Sequence, residues 1–130
     1  MNETTKVTKV DNELIAKLMK AASESPRLRV NLDLRNSEED ESQRMLNVLL
    51  PGTKVPMHRH TETQETVIIL KGWIDEVFYD EDGKETDRFS LNPLEGMFGI
   101  QIPKGVWHTV EVHEASAIVE MKNGKYVAAI

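Results

Sequence analysis

The hydrophobic positions of the chain follow two different periods. Between Asp11 and Pro26 the apolar residues recur with helical spacing at Leu14, Ile15, Leu18, Met19 and Ala22. Asp11 suits an N-cap, and the residue before Pro26 is disfavoured in a helix. The pattern predicts one amphipathic helix over residues 12–23, whose apolar face packs on a sheet. A face that binds a partner protein is the alternative.

After Pro26 the period changes to two, which is typical of half-buried strands. The alternation predicts strands over residues 28–35, 44–50, 55–60, 65–70, 73–79, 84–90, 97–102, 107–112, 115–121 and 126–130. Turns are predicted at Asp80–Gly83, Asn92–Gly96 and Asn123–Gly124, the last as a type I′ hairpin. Many short strands at this spacing indicate an all-β sandwich or barrel with an N-terminal α-helix.

Length and charge narrow the function classes. The 130 residues suit one domain, and we expect a tail over residues 1–10 and a single domain over residues 11–130. The net charge of −6, without a basic cluster, argues against a nucleic-acid partner. The longest apolar run, Val67–Leu70, is too short to span a membrane. The absence of cysteine and of a signal pattern at Met1–Lys6 favours the cytoplasm.

Three histidines and one glutamate form the candidate site. On a strand His58 and His60 point to the same face, and a short connection brings Glu65 back across from them. His108 follows a Pro-Gly bend and shares its face with Val110 and Val112, whereas His113 takes the opposite face. The predicted site is therefore His58, His60, Glu65 and His108.

These side chains are the ligand types of a divalent transition metal. Imidazole and carboxylate suit Zn, Fe, Ni or Mn. Three neutral imidazoles and one carboxylate would leave a divalent ion with a formal charge of +1. In an octahedral ion they would also leave two adjacent positions for water, substrate or oxygen.

The spacing of these residues resembles the two motifs of the cupin superfamily. Gly52, five residues, His58-x-His60, four residues, Glu65, six residues and Gly72 correspond to the first motif. Pro103-x-Gly105-x-x-His108 corresponds to the core of the second, although Met97 and Val112 replace its usual Gly and Asn. The resemblance implies a double-stranded β-helix, a jelly-roll-like barrel whose mouth is a ligand site, with the four candidates as metal ligands.

A closer resemblance covers nearly the whole chain. The predicted helix and the segments Ser25–Leu32, Ser42–Asn47 and Gln64–Thr66 are similar to the cupin-fold metalloproteins of the WbuC family. That family is associated with bacterial surface-polysaccharide (O-antigen) biosynthesis. The resemblance implies a small sugar-like or carboxylate ligand, and pairing between the sheets of cupins implies a homodimer.

Polar residues near the predicted mouth are candidates for substrate contact. Arg29, Asn31 and Arg44 lie on the early strands, where a guanidinium would bind a carboxylate or phosphate. The alternative is that they face solvent or pair with the acidic cluster at residues 38–41. Gln64 adjoins Glu65 as a candidate hydrogen-bonding partner, and Gln101 either lines the pocket or faces solvent.

The sequence leaves the reaction open among three hypotheses. A metal-dependent isomerase and an Fe(II) dioxygenase both use the open coordination positions. A non-catalytic metal-dependent binding or sensing module is the alternative. No general base stands out beyond the ligands, since His113 faces outward and Glu62 lies in a turn.

Overall fold

The computed structural model describes residues 7–130. Its elements are α1 (Asn12–Glu24), β1 (Arg29–Asp33), β2 (Ser42–Leu49), β3 (Glu65–Tyr79), β4 (Glu85–Leu91), a short 3₁₀ helix (Pro93–Glu95), β5 (Gly99–Ile102) and β6 (Trp107–Asn123). Of the predicted tail, residues 7–10 are exposed and precede α1. Residues 1–6, on which the predicted absence of a signal pattern rests, lie outside the described residues.

The helix forms where its pattern predicts it. The Asp11 carboxylate caps it by accepting a hydrogen bond of 3.0 Å from the Leu14 backbone N–H. Its buried face, Ile15 and Ala22, packs against Val48 and Ala117 of the sheet. Among the described residues, no helix is both long and apolar enough to cross a membrane.

The strands pair antiparallel in the order β1-β2-β6-β3-β4, with β5 also paired to β3. Strand β6 lies at the centre, because its second half pairs with β2 on one side and with β3 on the other. The prediction of an all-β fold with an N-terminal helix is confirmed. The main core lies on the inner face of this sheet and consists of Leu49, Val67, Ile69, Ile74, Phe78, Leu91, Ile102 and Ile118.

At two places, two short strands that were predicted separately form one continuous long strand. Strand β3 runs through residues 70–73 and β6 through residues 113–114, with register shifts between Ile69 and Ile74. Gly72 adopts a φ of +100°, a backbone conformation that residues with a Cβ atom rarely adopt. The Ser116 hydroxyl completes the irregular pairing by accepting from the Trp73 N–H at 3.0 Å and donating to the Glu114 carbonyl at 2.7 Å.

Two predicted strands, at residues 55–60 and 126–130, are wrong. The first is irregular apart from one bridge at His58. The second cannot fold back on β6 as the predicted hairpin at Asn123–Gly124 requires, because β2 and β3 already occupy both edges of β6. Instead the end of the chain crosses to Arg59, whose backbone exchanges two hydrogen bonds with Ile130.

Replacing Gly72 with alanine tests whether the close approach of β6 at the irregular pairing requires a glycine. An added Cβ would lie 2.2 Å from the Ser116 hydroxyl and 2.4 Å from the Ala115 carbonyl oxygen. We expect Gly72→Ala to lower the free energy of unfolding by about 3 kcal/mol or more. Gly83→Ala is the control, since its φ of +80° is similar but no atom lies within 4 Å of the new Cβ. Its cost should be about 1 kcal/mol, and equal losses in urea denaturation would contradict the role of the contact with Ser116.

Candidate metal centre

A backbone bridge brings the two halves of the site together. The His58 N–H donates to the His108 carbonyl at 2.9 Å, and the His108 N–H donates back to the His58 carbonyl at 2.8 Å. The Gly105 N–H also donates to the His60 carbonyl at 2.7 Å. Although residues 55–60 are not a strand, these bonds hold them extended against the start of β6.

The three imidazoles converge as a result. Ring centroids lie 4.4 Å apart for His58 and His108, 5.3 Å for His58 and His60, and 5.8 Å for His60 and His108. One ring nitrogen from each lies within 4.8 Å of the other two. The predicted placement of His108 on an inward face is borne out, since it is buried, whereas His113 is exposed on the other face.

Backbone carbonyls determine which ring nitrogen of His58 and of His108 is available to bind a metal. His58 Nδ1 lies 2.9 Å from the Pro56 carbonyl oxygen, and His108 Nδ1 lies 2.9 Å from the Val106 carbonyl oxygen. Because a carbonyl only accepts, Nδ1 carries the proton in both rings and Nε2 keeps its lone pair. Such outer hydrogen bonds orient histidines that ligate metals.

Glu65, the first residue of β3, is buried beside the imidazoles. Its Oε1 atom lies 3.4 Å from His108 Nε2 and 3.9 Å from His60 Nε2. Its Oε2 atom forms no hydrogen bond within the described residues and lies 3.6 Å from Lys122 Nζ. A buried carboxylate oxygen without a hydrogen bond is costly unless another group compensates it.

Three of the four donors, His58, His60 and Glu65, are held in the protonation state that a metal requires. Burial lowers the pKa of His58, and lowers that of His60 to about 4, so both imidazoles are neutral. Burial alone would raise the pKa of Glu65, but the neighbouring Glu120, His108 and Lys122 hold it below its ordinary value. Burial would likewise lower the pKa of His108, but its contacts, led by Glu65, raise it instead.

This donor set fits a divalent transition metal. It offers three imidazole nitrogens and an anionic carboxylate with an orphaned oxygen, all converging from separate parts of the chain. The carboxylate and the imidazoles are ligand types that such metals take, and the carbonyls that accept from the imidazole N–H groups are the outer hydrogen bonds that orient them.

The site opens into a cavity of about 230 Å³ that contains carboxyl groups absent from the sequence prediction. Glu76 of β3 and Glu120 of β6 both line it. Glu76 is only 3% exposed. The Glu120 side chain accepts a hydrogen bond from the Asn47 amide. The sequence alone did not single out Glu76 or Glu120, and the structure adds both as candidate acid–base groups beside the ligands.

Both added carboxyls favour the protonated form. Burial raises the pKa of Glu76 to about 8, with a smaller contribution from the charge of Glu65. Burial, followed by the contact with Glu65, raises the pKa of Glu120 well above its ordinary value. The metal-free cavity therefore holds an ionised Glu65 together with two carboxyls whose pKa burial raises.

The predicted substrate contacts divide into two groups. Arg29 and Asn31 line the cavity, and the Arg29 guanidinium is fixed by the Thr53 hydroxyl at 3.2 Å and the Lys54 carbonyl at 2.8 Å. The structure does not bring Arg44, Gln64 or Gln101 to the cavity.

Each of these three residues has a local reason to lie elsewhere. Arg44 is held by the carbonyls of Ser42 and Leu34 and by Asp40, so it pairs within the acidic segment as the alternative proposed. Gln64 and Gln101 are exposed. Gln64 directly precedes buried Glu65, and Gln101 pairs with Thr66 at the sheet edge, facing away from buried Ile102.

Comparison with known sequences gives one family. Residues 10–91, well over half of the chain, match the family described as "Domain of unknown function (DUF6016)". No curated protein matches the sequence.

Solved structures with the same fold are cupins, which confirms the predicted double-stranded β-helix. Oxalate decarboxylase of Bacillus subtilis, which has Mn(II) centres, matches with a TM-score of 0.62 and 19% identity over 78% of this chain and 27% of its own. Oxalate oxidase in complex with the substrate analogue glycolate matches with a TM-score of 0.65 and 15% identity over 100% of this chain and 61% of its own. Peruvianin-I, a cysteine peptidase from Thevetia peruviana latex, matches with a TM-score of 0.62 and 19% identity over 78% and 65%. The chain thus spans about a quarter of the oxalate decarboxylase and less than two thirds of the other two.

The raised pKa of Glu76 predicts how the stability of the metal-free protein depends on pH. The unfolded chain ionises near the ordinary value of 4.5, whereas folded Glu76 retains its proton to about pH 8. The free energy of unfolding of the wild type should therefore fall as pH rises from about 4.5 to 8. The Glu76→Gln variant should not show this fall, because its amide does not ionise. At pH 8 we expect the free energy of unfolding of Glu76→Gln to exceed that of the wild type by about 4 kcal/mol, and near pH 4.5 we expect the two to be similar.

Urea denaturation of chelator-treated protein across this pH range measures the difference. Glu62→Gln, which changes an exposed carboxyl, is the control and should alter stability by no more than about 0.5 kcal/mol. A benefit of Glu76→Gln that is the same at both ends of the range would show that burial does not shift this group.

Proposed function

This chain belongs to the DUF6016 family of domains of unknown function, and we propose that it is a cupin enzyme that holds one divalent transition metal and acts on a small carboxylate. One observation carries the proposal: three imidazoles and a buried carboxylate converge at a cavity that also contains two further carboxyls. Among the described residues, His58, His60, Glu65 and His108 would hold the metal.

The metal would act as a Lewis acid toward an oxygen of the bound ligand. The protein's own groups supply the remaining functions. The carbonyls of Pro56 and Val106 orient two imidazoles, and Lys122 balances the negative charge of Glu65. Glu76 and Glu120 hold protons at the cavity wall, where a general acid or base must lie.

The cavity's size and charge favour a small anion. Its volume of about 230 Å³ is below the usual range for drug-sized ligands. Arg27 and Arg29 line one wall, and the charge of Arg27 adds to burial in lowering the pKa of Arg29. A carboxylate would bind such guanidinium groups through paired hydrogen bonds. The oxalate enzymes that share the fold also act on a small carboxylate, which supports the same class.

We also propose the finer features that the sequence resemblance implies. These are membership of the WbuC group, a role in bacterial surface-polysaccharide metabolism, a homodimer and a cytoplasmic location. The metal is Zn, Fe, Ni or Mn, and the Mn(II) centres of the similar oxalate decarboxylase support Mn as the first to test.

Removing single ligands tests the metal centre. We expect His58→Ala and Glu65→Ala to reduce the bound metal, measured by elemental analysis after purification with metal supplied, by at least tenfold. Both should also abolish the rise in melting temperature that metal gives the wild type, because the metal binds the folded state. His113→Ala is the control, since this histidine bonds Asp75 on the outer face. Full metal content in either ligand variant would show that the ligands are assigned wrongly.

Oxalate binding to the metal-loaded protein tests the proposed ligand class. We expect Arg29→Met to weaken oxalate binding about tenfold in calorimetric titration, because it removes a charged hydrogen-bond donor from the cavity wall. Arg44→Met is the control and should bind oxalate like the wild type, since Arg44 is held by Ser42, Leu34 and Asp40. Equal affinities in all three proteins would contradict a role for Arg29.

A further inference from the structure

Glu76 is a buried carboxyl that the fold does not use. It lines the cavity and is 3% exposed, yet its carboxyl forms no hydrogen bond or ion pair with any other described residue. The other buried acid of this half of β3, Asp75, is held on the opposite face by Ser90, Arg88 and His113. Asp75 therefore has protein partners that offset the cost of its burial, whereas Glu76 has none among the described residues.

The pairing of β3 with its neighbours fixes the position of Glu76. Val110 of β6 and Phe89 of β4 lie directly opposite it, so both cross-strand neighbours are apolar. His108 lies opposite Phe78, two residues further along β3. Glu76 and His108 are therefore diagonal neighbours on one face, at a spacing that side chains bridge.

A structural role does not account for a carboxyl at this position. An apolar side chain of similar size would suit a position opposite Val110 and Phe89 and would avoid the cost of burying a polar group without a protein partner. A bound ligand removes that cost if it presents a hydrogen-bonding oxygen to the carboxyl.

The charges around the cavity favour a hydroxyl as that oxygen. The ionised Glu65 already lines the cavity, so a second anionic group beside Glu76 would meet like charge. A hydroxyl can donate to a carboxylate and can also accept from a protonated carboxyl, so it suits Glu76 in either protonation state. Arg29 lies on β1, which β2 and β6 separate from β3 in the sheet, so the guanidinium and Glu76 belong to different walls.

We propose that Glu76 is a ligand-recognition residue that hydrogen-bonds a hydroxyl of the ligand, and that the ligand class is a small hydroxy acid. This inference rests on the proposed function, in which the metal and the arginines bind the acid group. The carboxyl at the inner wall then selects acids that carry a hydroxyl.

Lactate and propionate test this selection, because they differ by one hydroxyl group. In calorimetric titrations of the metal-loaded wild type, we expect one enantiomer of lactate to bind at least about tenfold more tightly than propionate. Glu76→Leu should bind the two acids within about twofold of each other, since the partner of the hydroxyl is lost. Glu76→Gln, which retains a donor and an acceptor, should keep most of the preference.

Metal content and circular dichroism are measured on the same samples. If Glu76→Leu folds, holds metal and still prefers lactate, the hydroxyl is recognised elsewhere and the inference is overturned. If that variant does not fold, loss of the preference in Glu76→Gln overturns it. A metal-loaded wild type that prefers propionate, or binds neither acid at tens of millimolar, also overturns it. A wild type that takes up no metal instead defeats the proposed function.

Discussion

The site depends on the reciprocal backbone hydrogen bonds between His58 and His108. These two bonds join an irregular segment to the start of a long strand, although fifty positions of the chain separate them. This bridge, together with the bond from Gly105 to His60, turns the rings of His58 and His60 toward His108. The carbonyls of Pro56 and Val106, which orient the rings, belong to the same two segments, so the bridge fixes ring position and tautomer together.

The cavity concentrates groups that oppose folding when no ligand is present. Three carboxyls share about 230 Å³ with three imidazoles, and one carboxylate oxygen has no hydrogen bond. Arrangements that place unsatisfied polar groups in a protein interior typically mark sites where function takes precedence over stability. The apolar core around the cavity and the helix packed on the outer face supply the burial that offsets this cost.

Local patterns predicted the parts of the structure that local forces determine. The helix, the hairpin turn at Asp80–Gly83 and the inward face of Glu65, Val67 and Ile69 follow from capping, turn chemistry and period two. Glu76 was missed because the bulge around Gly72 changes the parity of β3. Odd positions face inward before the bulge, and Ile74, Glu76 and Phe78 face inward after it, so a strict alternation points Asp75 inward instead. The last residues were mispredicted as a strand because only the complete sheet reveals that both edges of the second half of β6 are already paired.

The central position of β6 has a consequence for the route by which the chain folds. Both of its neighbours come from earlier in the sequence, and its pairing with β3 joins residues as far apart as Glu65 and Lys122. Such distant contacts pay a large loop-closure entropy before they gain stability, which makes folding slow. The cation-binding pocket therefore cannot pre-exist as a local nucleus. Its ligands meet only when His58 pairs with His108, so a metal ion that needs all of them would bind the folded barrel and slow its opening rather than speed its formation.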